Sequence, residues 1–101
     1  MNIAASGIWQ KNPVLAWREI DEETIIISPG ESVMHELNDT GSFVWRNIDG
    51  HRNVRDLAAM LVERYEVAPE VALTDTQSLL EELSTRKLLV PADAEAGGAA
   101  R

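Results

Sequence analysis

Two histidines, His35 and His51, and an acidic triplet, Asp21-Glu22-Glu23, are the residues of this chain best suited to chemistry. Imidazole changes charge near neutral pH and serves as a general base or metal ligand. Adjacent carboxylates hold hard cations such as calcium. Neither arrangement carries far here. The chain has no cysteine, so it has no thiolate nucleophile, disulfide or Cys-based zinc site. Two histidines would need several carboxylates to complete a metal site. His35 lies in the alternating run "SVMHEL" and reads as a packing or edge residue. His51 follows Gly50 and reads as a turn residue. The acidic triplet sits between two apolar runs, where mutually repelling carboxylates mark a solvated turn. There is no Gly-rich phosphate loop, no G-x-S-x-G and no H-E-x-x-H. No spacing supports a Ser/His/Asp triad. The residues point away from an enzyme and away from any bound metal or cofactor.

Charge narrows the partners. Nine basic residues face 17 acidic ones, for a formal net charge of −8. Nucleic-acid binders neutralise phosphates with a basic face. No apolar run approaches the roughly 18 residues of a membrane span. The N-terminus lacks the charged start and apolar core of a signal peptide. A cytoplasmic location is the expectation.

The elements that must position any site follow from periodicity. "VLAWREI" alternates Leu15 and Trp17 against Val14, Ala16, Arg18 and Ile20. "TIIIS" is β-branched, which suits a pleated surface. "PGE", with Pro before Gly, fits a type II turn. "SVMHEL" alternates Val33, His35 and Leu37 against Met34 and Glu36. Three short strands joined by tight breaks make an antiparallel meander. The period then changes. Asn38 suits an N-cap, and Leu37, Gly41, Val44, Trp45 and Ile48 fall on one helical face. Gly50 suits the left-handed residue after the helix. Asn53, with Asp56 three residues on, starts a second helix whose stripe includes Val54, Leu57, Ala58 and Leu61. Pro69 suits the first turn of a third, with Ala72, Thr76, Leu80 and Leu83 on its stripe. "LLV" (88–90) reads as an extended tail packing back.

The layout is α+β: a three-stranded antiparallel sheet packed on a three-helix, winged helix-turn-helix-like unit. One domain spans 13–90. Residues 1–12 are expected to be a loosely held, flexible arm, and 91–101 a disordered tail. The last two helices invite a DNA reading, in which the second enters the major groove by its N-terminal residues. Here that helix opens "PEVALTDTQ", with Glu70 and Asp75 and no Lys or Arg, which opposes it. An open strand edge supports another reading, since it can accept an extended peptide as an added strand.

The ordered features Leu37-Asn38-x-Thr40-Gly41, Trp45, Asp49-Gly50, Val54, Leu57-Ala58, Leu61 and Tyr65, then Asp75, Leu79-Leu80, Leu83 and Leu88-Leu89, resemble the PqqD-like family. These are small recognition elements for the precursors of ribosomally synthesised, post-translationally modified peptides, named for the pyrroloquinoline quinone biosynthesis D protein. The resemblance covers about residues 14–90. It implies a protein without catalytic activity or cofactor. Such a protein binds a precursor's leader as a strand beside the third strand and against the third helix. It then presents the precursor to a maturation enzyme, a radical S-adenosylmethionine protein in the quinone pathway. By position, the peptide-binding residues are Val33, Met34, His35 and Glu36 on the strand, and Asp75, Ser78, Leu79 and Glu82 on the helix. Leu73 and Leu80 lie on the helix's other flank. Members serving the quinone pathway tend to carry a Pro-Glu-Gly-like turn and a Cys before the Asp-Gly. Here the turn is "SPGES" and the helix ends "WRNIDG", so another peptide pathway fits equally well. The expected state is a monomer, or a homodimer through the open edge. The alternative reading is an acidic winged-helix regulator or protein-interaction module.

Overall fold

The computed structural model describes residues 3–28 and 33–92. Its elements in order are β1 (Trp9–Lys11), β2 (Ala16–Ile20), β3 (Glu23–Ser28), β4 (Val33–Leu37), α1 (Asp39–Asn47), α2 (Val54–Tyr65), α3 (Pro69–Thr85) and β5 (Leu89–Pro91). Asp21 and Glu22 take φ of 52° and 68°. Two successive left-handed residues make the tight turn that matches the twist of a hairpin, and Ile20 pairs directly with Glu23. The meander is thereby set as β2-β3-β4, all antiparallel, with β4 at one edge. The expected Pro29–Glu31 turn, Ser32 and the tail from residue 93 lie outside the described residues.

Alternation on the central strand decides which face meets the helices. Thr24, Ile26 and Ser28 are buried while Glu23 and Ile27 are exposed. Register places Trp17 and His35 opposite Ile26, and Leu37 opposite Thr24. These side chains share the inner face. Against them packs Trp45 of α1, fully buried, with the Trp17 ring edge-on at 5.8 Å. Val44, Ile48, Leu57, Leu61, Leu80 and Leu83 complete the core.

The helices start where their capping residues dictate. Asn38 Oδ1 accepts from Gly41 N at 2.8 Å. A Cβ on Gly41 would stand 3.3 Å from that same oxygen, so the corner between β4 and α1 leaves little room for a side chain there. Asn53 and Asp56 form a reciprocal capping box. Pro69 opens α3, where its missing N–H costs nothing.

The N-terminal arm corrects the expectation of a loose segment. Lys11 pairs with Leu89 and Trp9 with Pro91 in a second, two-stranded sheet. Ala92 N donates to Ile8 O, so Pro91 and Ala92 are also held, contrary to a tail disordered from 91. The arm further satisfies free donors of α2: Val54 N donates to Gly7 O and Arg55 N to Ala5 O. With Asp56 N on Asn53 Oδ1, the first three N–H groups of α2 are all partnered, as an otherwise orphaned helix end requires. Ile3 is buried at 5% exposure, and its carbonyl accepts from Gln77 Nε2 at 2.8 Å. The arm clamps α2, α3 and β5 together. The signal was weak in sequence because a three-residue strand has almost no periodicity.

Two measurements check this. Ile3→Ala is expected to lower unfolding free energy by about 2 kcal/mol or more in urea titration, as for a buried aliphatic side chain; a flexible arm would give no change. Asp49 Oδ1 accepts from His51 N and Arg52 N, both at 2.9 Å. These bonds hold its pKa below the ordinary value of 3.8, more than the Arg52 charge does. A carboxylate with a depressed folded-state pKa stabilises above its unfolded value and loses that contribution as pH falls through the folded value. The stability gap between the parent and Asp49→Asn should be constant at neutral pH and close below pH 3.8.

Candidate functional site

β4 is an edge strand of its sheet, and α3 stands across a cleft from it. β3 pairs with one side of it, and no described strand pairs with the other. Open edges expose unpaired N–H and C=O groups, which makes them templates for another strand. Between this edge and α3 lies a cleft of about 270 Å³. His35, Glu36, Leu37 and Asn38 line it on the strand side, and Leu79, Glu82, Leu83 and Arg86 on the helix side, with Leu88. The helical residues are spaced i, i+3, i+4 and i+7, one face of a helix.

The floor is apolar and the rim is charged. Leu37, Leu83 and Leu88 are buried, and Leu79 is partly so. Arg86 Nη2 lies 3.0 Å from Glu82 Oε2, and Arg86 Nη1 lies 3.4 Å from His35 Nδ1. His35 Nε2 is buried without a hydrogen-bond partner among the described residues. Buried imidazole nitrogens usually find one, so a residue that lines the cleft carries an unsatisfied buried atom. Among the described residues no group of three or more His, Asp or Glu could hold a metal ion. No described helix is long and apolar enough to cross a membrane.

The structure sorts the residues that the sequence marked for peptide binding. His35, Glu36, Leu79 and Glu82 meet in the cleft. Val33 lies at the start of β4, beyond the cleft lining. Met34 pairs with Ile27 and is 59% exposed, so its side chain belongs to the outer face of the sheet. Asp75 lines a neighbouring hollow with Thr40, Leu61, Tyr65, Val67 and Ala72. Ser78 is exposed on α3. The Leu79–Glu82 flank faces the cleft, Leu80 is in the core, and Leu73 faces α2. Arg86 and Leu88 were missed. Arg86 continues the Leu79, Glu82 stripe, and that spacing was the available signal.

A larger groove, about 470 Å³, runs between α2 and α3 over Ala58, Ala59, Val62 and Leu73, with Arg55 and Glu70 at its edges. Both walls are helices, whose interior backbone groups are already paired. It offers an extended chain no hydrogen bonds, whereas the β4 cleft does. The exposed side of α3 carries Glu70, Asp75 and Glu82, an acidic surface that would repel phosphate.

The family model described as coenzyme PQQ synthesis protein D, PqqD, matches residues 23–89. No curated protein matches the chain. Among solved structures, similar folds occur in TbiB1 in complex with the TbiA(beta) leader peptide, at TM-score 0.73 and 18% identity over 79% of this chain and 93% of that one. A lasso peptide synthetase B1 complexed with its leader peptide matches at TM-score 0.74 and 20% identity, over 82% and 98%. The PqqD truncation of Methylobacterium extorquens PqqCD, a stand-alone recognition element for such peptides, matches at TM-score 0.73 and 19% identity, over 87% and 94%. At these identities the likeness establishes a shared fold.

Proposed function

The chain belongs to the PqqD family, and from that premise we propose that it binds the leader of a ribosomally made precursor peptide by strand addition and presents it to a maturation enzyme. The observation that carries this reading is the open edge of β4 beside the α3 cleft. Main-chain hydrogen bonds to β4 supply affinity that is independent of sequence, and alternate side chains entering the cleft supply specificity. The cleft matches such a ligand in length. From Leu79 to Arg86 the helical wall rises about 10 Å. A strand covers that span in about three residues, within the five-residue length of β4. Two of the similar structures hold leader peptides, which supports the same use here.

The chain's part in this scheme is capture and positioning, without chemistry of its own. The leader's inward side chains meet Leu37, Leu79, Leu83 and Leu88. Its flanking polar groups meet Glu82 and Arg86. Asp75 and Ser78 extend the same helical stripe toward the far end of a longer leader. The maturation enzyme carries the reactive cofactors, and the precursor core reaches it while the leader stays on β4.

A backbone N-methyl scan of a synthetic leader tests the mode of binding. Methylation removes one donor and adds bulk toward one side of the strand. Strand addition predicts loss of at least ten-fold in affinity at every second position and little change between them. Uniform sensitivity, or none, would contradict it.

A further inference from the structure

The outer face of the sheet is left uncovered by the helices, and its composition is unusual for a solvated surface. Ile20, Ile27 and Met34 are 48%, 44% and 59% exposed. Register sets Ala16, Ile27 and Met34 side by side, with Arg18, Ile25 and Glu36 in the next row. Together with Trp17, five of these residues line a shallow hollow of about 380 Å³. A half-buried antiparallel sheet normally turns polar side chains to water. Exposed apolar side chains gathered on one face and rimmed by charge are a candidate interaction surface.

The rim states the partner's chemistry. Glu23 and Glu36 lie on this face, and Asp21 and Glu22 form the turn at its end. Against these four carboxylates stands Arg18. The turn residues hold positive φ, where Asn-Gly would sit without strain and Glu is disfavoured. The turn keeps charge at the expense of backbone comfort. A second copy of this chain would bring one acidic rim against another. The face is also small: three strands at about 4.8 Å spacing and five residues at about 3.3 Å each fall well short of the roughly 800 Å² per partner in stable interfaces. Both arguments oppose a homodimer and favour a transient partner with apolar side chains inside a ring of Lys and Arg.

We infer that the outer face of β2-β3-β4 is a second docking surface, and that it receives a basic-rimmed patch of the maturation enzyme while the leader occupies the β4 edge. The identity of that partner rests on the function proposed above; the surface itself does not. β4 links the two, since it gives its edge to one ligand and Met34 and Glu36 to the face that meets the other. Residues of an added leader strand pointing outward would enlarge the same face, so the enzyme binds the loaded form more tightly.

The test uses the full chain with labelled Ile and Met methyl groups, the synthetic leader of its precursor, and the purified maturation enzyme of the same pathway. Enzyme is expected to broaden the methyl signals of Ile20, Ile25 and Ile27 and to spare buried Ile26 and Ile48. Ile27→Glu should weaken enzyme binding at least ten-fold and leave the leader's Kd within two-fold, which also shows that the variant is folded. Ile27→Val should bind enzyme as the parent does. Outer methyl signals unmoved at saturating enzyme, or unchanged enzyme affinity in Ile27→Glu, would overturn the proposal. So would shifts at these methyls that follow the chain's own concentration, which would assign the face to a second copy. A leader that fails to perturb β4 counts against the function proposed above instead, and the enzyme titration without leader still judges the outer face.

Discussion

A β-strand with one edge hydrogen-bonded and the other open is the constraint on which this structure depends. β4 pairs with β3 along its length and presents its remaining backbone groups beside α3. In water such groups are solvated, so leaving them open is tolerable. Their value lies in geometry, because they are held straight and in register by a sheet that cannot slip. Slipping β4 by one residue would move Leu37 out of the core and Met34 into it, which the alternation of buried and exposed positions forbids.

The rest of the chain fixes what stands next to that edge. At the corner, Asn38 caps α1 and Ser42 Oγ donates to Leu37 O at 3.2 Å, so the end of β4 is tied to the first turn of the helix. Trp45 then carries α1 onto the inner face of the sheet. The placement of α3 is less direct. It packs on α2, and α2 is held by the N-terminal arm, whose carbonyls cap its first turn. The arm also pairs with β5, which leaves α3 through buried Leu88. The cleft's helical wall is therefore set by residues at both ends of the chain. Among the described residues no such support covers the other face of the sheet, where Ile20, Ile27 and Met34 are exposed.

Local chemistry made most of the fold legible in the sequence. Asn38, Asn53 and Pro69 each announce a helix start by mechanism, and each does so in the structure. Alternation in "TIIIS" and "VMHEL" located the strands and the inward side chains. What escaped were features whose partners lie far along the chain. The β1–β5 pairing joins residues about 80 apart through three-residue strands, too short for periodicity to show. In the site, position in the motif pointed to β4 and α3 but could not separate an edge from a face. Met34 adjoins His35 in sequence yet belongs to the outer surface. Arg86 follows the end of α3, and its side chain spans Glu82 and His35. The same alternation that located the strand also divides its residues between two surfaces.

The central claim, that an extended peptide joins the sheet at β4, is tested most directly by nuclear Overhauser contacts between an unlabelled leader and the labelled chain. The account predicts a ladder of interstrand contacts from the leader backbone to residues 33–37, together with contacts from its side chains to Leu79 and Leu83. Contacts confined to Ala59, Val62 and Leu73, in the groove between α2 and α3, would contradict it.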